Sequence, residues 1–144
     1  MDLYKDTSMI KKTLATVIFS ALLSFSSMSF AETLKNNMQA LGKNFKAFNK
    51  ANNQQDAQKA LDQMKLAALD AKKVKLKTND AKAPSSDALF DQLVAQIDKT
   101  RVLVQAGKLD QAKVEGKQIA AIEAQGHAIY NKQWFYAYSQ FSML

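Results

Sequence analysis

From Leu34 the apolar residues Met38, Leu41, Phe45 and Phe48 recur at alternating four- and three-residue intervals, which lines them up as one stripe along a helix. The pattern predicts a first helix from about Leu34. Asn52-Asn53-Gln54-Gln55-Asp56 then forms a polar break, with asparagines suited to cap a second helix whose Leu61, Met64, Ala68, Ala71 and Val74 share a face. That helix is expected to end near Lys75. Leu76 to Ala83 has no period, and Pro84-Ser85-Ser86 reads as the loop exit and N-cap of a third helix carrying Phe90, Leu93, Ile97 and Val104. Gly107 stands where a helix closes in the left-handed conformation, and Lys108-Leu109-Asp110 restarts the chain at once. The fourth helix is expected from about Asp110 through Tyr130, with Ala112, Ile119, Ile122 and Gly126 inward or flanking. Short links make antiparallel neighbours, so four similar helices joined in this way predict an all-α, up-down-up-down four-helix bundle.

The segment before these helices has a different character. Lys11 and Lys12 precede an apolar stretch from Leu14 to Phe25, and Ser29 and Ala31 supply the small residues of a cleavage site, so residues 1–31 read as a secretory signal peptide cut before Glu32. Serines at 20, 24, 26 and 27 interrupt the run, whereas a membrane anchor needs about 20 consecutive apolar residues. The expectation is export to the periplasm, with no membrane span once the leader is removed. Met9 is an alternative start to Met1, because the first eight residues add nothing a leader needs.

Composition agrees with helices. The chain has 144 residues, enough for one domain, with one proline, four glycines and 47% hydrophobic residues. The absence of cysteine excludes disulfides, thiolate metal sites, iron–sulfur ligation and covalent attachment of haem through thioethers. The formal charge is +7, and removal of the leader leaves 17 basic and 11 acidic side chains, a net +6. Clustered cations invite a nucleic-acid reading. The densest run, Lys72, Lys73, Lys75 and Lys77, instead falls at a helix end, where cations complement the helix dipole, so no nucleic-acid partner is expected. A basic surface equally suits the steering of an acidic redox partner, or solubility alone.

Candidate chemistry rests on two residues. His127, the only histidine, lies near the end of the fourth helix, and Met38 lies in the first turns of the first, which an antiparallel bundle brings to one end. Imidazole and thioether together suit haem iron, held noncovalently because there is no cysteine. Gly116, Ala120, Glu123 and Ala124 flank His127 on a helical wheel, and Leu41, Phe45, Met64, Phe90 and Leu93 are apolar walls for a macrocycle. The bland readings stand beside this one: a lone histidine is ordinarily a capped or surface residue, and a methionine on an apolar stripe is ordinarily a core gap-filler. Met64, mid-helix, takes that second role. No nucleophile–base pair, phosphate loop or metal cluster points to an enzyme, so no catalytic residue is expected.

Longer stretches carry a resemblance. Leu34-Lys-Asn-Asn-Met38-Gln-Ala-Leu41, Ala60-Leu61-Asp-Gln-Met64-Lys-Leu-Ala67-Ala68-Leu69-Asp70-Ala71, Phe90-Asp-Gln-Leu93-Val94-Ala95-Gln96-Ile97-Asp98, Gly107-Lys108-Leu109-Asp-Gln-Ala112 and the region of His127 to Tyr130 closely resemble the cytochrome b562 family. The resemblance implies a small periplasmic b-type cytochrome over residues 32–131, with one haem b, Met38 and His127 as axial ligands and Phe90 packing the haem. It further implies an electron-transfer role between a protein donor and acceptor. A haem-free periplasmic chaperone or adaptor of the same ancestry, or a haem store, is the alternative. Three departures from the family are visible. The loop between helices two and three is shorter. Glu123 stands where a basic residue is common, so a carboxylate near the haem is expected to lower the reduction potential. Residues 132–144, with Trp134, Phe135, Tyr136, Tyr138 and Phe141, form an aromatic C-terminal extension.

Overall fold

The computed structural model describes residues 30–130, so the expectations for the signal peptide and for the aromatic extension at 132–144 lie outside the described residues. The chain divides into units Met1–Glu32 and Thr33–Leu144, and the bundle belongs to the second apart from the first three residues of its first helix. Four helices form it: α1 Phe30–Lys50, α2 Gln54–Ala71, α3 Ser86–Gln105 and α4 Leu109–Tyr130. The described residues contain no strand.

Local chemistry sets most boundaries. Asn53 caps α2, its side chain accepting from the Asp56 amide at 2.8 Å, and Ser85 caps α3 by accepting from the Ala88 amide at 3.2 Å. At the end of α3, Gly107 has φ 75°, the left-handed region that favours glycine. The Lys108 amide donates to the Leu103 carbonyl at 2.9 Å and the Gly107 amide to Val104 at 3.0 Å, a complete Schellman closure. The Lys108 carbonyl then accepts from the Ala112 amide at 2.9 Å, so one residue ends one helix and starts the next.

α1 is described from Phe30, and Glu32 near its start complements the dipole. One boundary differs from the pattern-based expectation. α2 stops at Ala71 although the apolar stripe continues to Val74. Past Ala71 the amides of Lys73 and Val74 donate only three residues back, to Asp70 and Ala71, which tightens the chain into a turn. Leu76, just beyond, gives its amide to the Ser86 hydroxyl at 3.1 Å, drawing the loop onto the start of α3.

The core is one continuous cluster. Every residue of the four predicted stripes is buried except Val74, which packs partly exposed against the cluster. Leu89 and Thr100 of α3 are buried as well. Burial of Leu- or Phe-sized side chains contributes about 1.5–3 kcal/mol each before the entropy of ordering is counted. Backbones approach closely between α2 and α3 and between α3 and α4, whereas α1 stands further off on its large side chains Met38, Leu41, Phe45 and Phe48.

Ion pairs follow the same division. Lys65 to Asp98 (2.8 Å), Lys72 to Asp91 (2.5 Å), Lys75 to Asp87 (2.5 Å) and Arg101 to Asp62 (2.6 Å) staple α2 and its following turn to α3, and Lys99 to Glu115 (2.7 Å) joins α3 to α4. The lysine run after α2 is thus largely spent on carboxylates. Because these groups all remain partly exposed to solvent, each pair contributes little stability; they favour this pairing of helices over others.

Candidate functional site

Three hydrogen bonds gather one end of the bundle. Asn37 of α1 donates to Asp70 at the end of α2 at 2.7 Å. The Tyr130 hydroxyl, at the end of α4, donates to the Pro84 carbonyl just before α3 at 2.8 Å, and Thr78 of the intervening loop donates to the Ile129 carbonyl at 3.4 Å. Met38 follows Asn37, and His127 is less than one turn before Tyr130, so the two candidate ligands share this end.

Their level can be fixed more closely. Gly116 of α4 lies against the ring of Phe48 in α1, which sets the register of these antiparallel helices. Moving toward the shared end, Met38 lies ten residues from Phe48 and His127 eleven residues from Gly116. At about 1.5 Å rise per residue the two stand within one residue's rise of each other. Met64 is six residues before Asp70, the residue that Asn37 reaches, and so sits about 9 Å along the axis from this level.

Burial distinguishes the two donors. Met38 is 1% exposed, inside the core, while His127 is half-buried at the α1-facing edge of α4, with its Nδ1 enclosed. Leu41, Phe45, Phe90 and Leu93 all belong to the same buried cluster as Met38. Along the inner side of α4 toward His127, Gly116 is buried and Ala120 partly so, small residues that continue into the buried Glu123 one turn before the imidazole. A soft thioether and an imidazole entering from opposite helices, where α1 stands off, are a donor set that fits haem iron. Among the described residues no three His, Cys, Asp or Glu side chains gather as a metal cluster, so no carboxylate-rich centre competes for the role.

Charged and polar groups at this end have consequences of their own. Asp70 is held below the usual carboxylate range, chiefly by the hydrogen bond from Asn37 and then by Lys73. Burial pushes the Tyr130 phenol above its ordinary value. Glu123, one turn before His127, is fully buried, with Oε1 enclosed. Helical-wheel placement located Glu123 beside His127 but gave no sign of such complete burial, because carboxylates are rarely interior. The closeness of Gly116 to Phe48 was legible only as a small residue on the inner face.

A surface groove lies elsewhere. It measures 690 Å³ and opens between α3 and α4 beside Val102, Leu103, Asp110 and Val114, at the opposite end from Met38. No helix among the described residues is long and apolar enough to cross a membrane.

The fold and site define a small antiparallel helical bundle with a buried methionine and a lone histidine level with each other at one end. Comparison with known proteins gives this class a family. The family described as Cytochrome b562 matches residues 33–131, and a protein of Yersinia pestis named "Probable soluble cytochrome b562 2" is 33% identical over 108 residues, covering 71% of this chain and 84% of that protein. The chain belongs to the cytochrome b562 family, and with it to the b-type cytochromes.

Proposed function

We propose that this protein is a periplasmic electron carrier that holds one haem b noncovalently, with the Met38 sulfur and the His127 imidazole as axial ligands. The observation carrying the proposal is the shared level of these two donors, set by the Phe48 and Gly116 register. Bound haem supplies a one-electron couple between ferric and ferrous iron. Met38, buried in the core, offers a soft ligand that favours the ferrous form and raises the potential. Leu41, Phe45, Phe90 and Leu93 exclude water from the macrocycle, which strengthens every electrostatic effect on it. Glu123 opposes the methionine: a buried carboxylate one turn from the ligand favours the more positive ferric iron. No residue is assigned a catalytic step; a protein donor and a protein acceptor complete the function. The boundaries 1–31 for a cleaved leader, 32–131 for the haem-binding bundle and 132–144 for an extension belong to the same proposal.

Titration of the haem-free protein with hemin tests it. The expected result is saturation at one haem per chain, sharp low-spin bands on reduction and a reversible midpoint potential. An unchanged free-hemin spectrum contradicts the proposal and leaves a haem-free helical module. Tight binding without reversible reduction leaves a haem store.

A further inference from the structure

The distribution of charge over the four helices is uneven. α1 carries Lys35, Lys43, Lys46 and Lys50 against one acid, Glu32 in its first turn. The ion pairs of the described residues join α2, its following turn, α3 and the Glu115 edge of α4, and Lys43, Lys46, Lys50 and Lys117 take part in none of them. At i, i+3 and i+7 the three α1 lysines fall on one side of the helix, turned away from the core stripe, and Lys50 also borders a groove with Asp56 and Lys59 of α2. Lys113 donates to the Ala51 carbonyl at 2.7 Å, which places its edge of α4 beside the end of α1. Lys117 is exposed one turn further along that edge, and His127 lies on the same edge toward the other end. The Phe48 and Gly116 register sets Lys46 and Lys50 opposite Lys117 and Lys113. Of the three carboxylates on α4, Asp110 lines the groove toward α3, Glu115 is taken up by Lys99 and Gln96 on the α3 side, and Glu123 is buried.

Like charges stacked at this spacing weaken a helix rather than support it, so fold stability does not account for the strip. We infer that the lysine strip on the outer face of α1, continued by Lys113 and Lys117 on the neighbouring edge of α4, is the docking face for a carboxylate-rich protein partner. An anionic membrane is the less suitable occupant, because surface adsorption adds apolar side chains to the cations, and the large exposed hydrophobics Leu66, Leu69, Val102 and Val114 all lie on other faces. Charge-steered docking on a small polar surface suits short-lived encounters between redox proteins. That the partner exchanges electrons rests on the haem reading; the docking itself does not.

The test is a titration of the isotope-labelled protein, haem-free and hemin-loaded, with an acidic flavodoxin at low ionic strength, followed by amide NMR. The expected shifts concentrate at residues 43–50 and 113–117, with binding weakened about tenfold or more by 0.5 M salt. Lys43→Glu, Lys50→Glu and Lys117→Glu together abolish binding, while Lys73→Glu, Lys75→Glu and Lys82→Glu, an equal change in net charge, leave most of it. Shifts centred on α2 and α3, or a strip variant that binds as well as the parent, overturn the inference. So does retention by phosphatidylglycerol vesicles with no response to flavodoxin. Docking by the haem-free protein that persists when hemin is refused keeps the surface and removes only its redox role.

Discussion

The ring of Phe48 lies so close to the backbone of Gly116 that a β-carbon at that position would stand 2.7 Å from its Cε1 atom. This contact between α1 and α4 is the one that brings Met38 and His127 level, because both helices are straight rulers counted from it.

Gly116→Ala puts two effects in opposition. Alanine favours a helix interior by about 1 kcal/mol over glycine, whereas overpacking a filled core costs about 1–3 kcal/mol. Phe48 is fully buried in the core cluster, so its ring can yield only by shifting against packed neighbours, and overpacking wins. The variant is expected to unfold in urea with a stability lower by about 1 kcal/mol. A variant more stable than the parent contradicts the close approach.

Tyr130 gives a dependence on pH. Its hydroxyl donates to Pro84, and Tyr130→Phe loses that bond, a cost of about 0.5–1.5 kcal/mol at neutral pH. Burial raises the phenol in the folded protein, so its contribution is fully present below the unfolded pKa near 10 and is lost as pH rises through the raised folded value. Thermal unfolding from neutral to strongly alkaline pH should show the parent losing stability above about pH 10 and Tyr130→Phe losing less. Parallel curves contradict this role for Tyr130.

Glu123→Gln removes a buried carboxylate one turn from the proposed iron ligand while keeping its shape. Loss of the negative charge disfavours ferric iron, and the midpoint potential of the hemin-loaded variant is expected to rise by tens of millivolts. A potential unchanged or lowered by the substitution contradicts a through-space effect of Glu123 on the haem.

Most of the fold was legible because each helix announces itself locally. Stripes at three- and four-residue spacing, Asn53 and Ser85 as caps and Gly107 as a left-handed close need no knowledge of the rest of the chain. The misplaced end of α2 has the opposite origin. The turn after Ala71 accompanies contacts with Ser86 and Asp87 on another helix. At the site, Met38 and His127 were found from helix order and family resemblance together. The full burial of Glu123 and the lysine strip were not, since both depend on how α1 and α4 register across more than sixty residues of intervening chain, a matter decided by Phe48 against Gly116.

Joint ligation by Met38 and His127 is read most directly from the methionine methyl signals of the reduced, hemin-loaded protein labelled at those methyls. The Met38 methyl is expected far upfield, shifted by the porphyrin ring current, and its signal should vanish in Met38→Leu, while His127→Ala abolishes the low-spin spectrum. An upfield methyl that survives Met38→Leu and disappears in Met64→Leu, or no shifted methyl at all, contradicts the ligand pair.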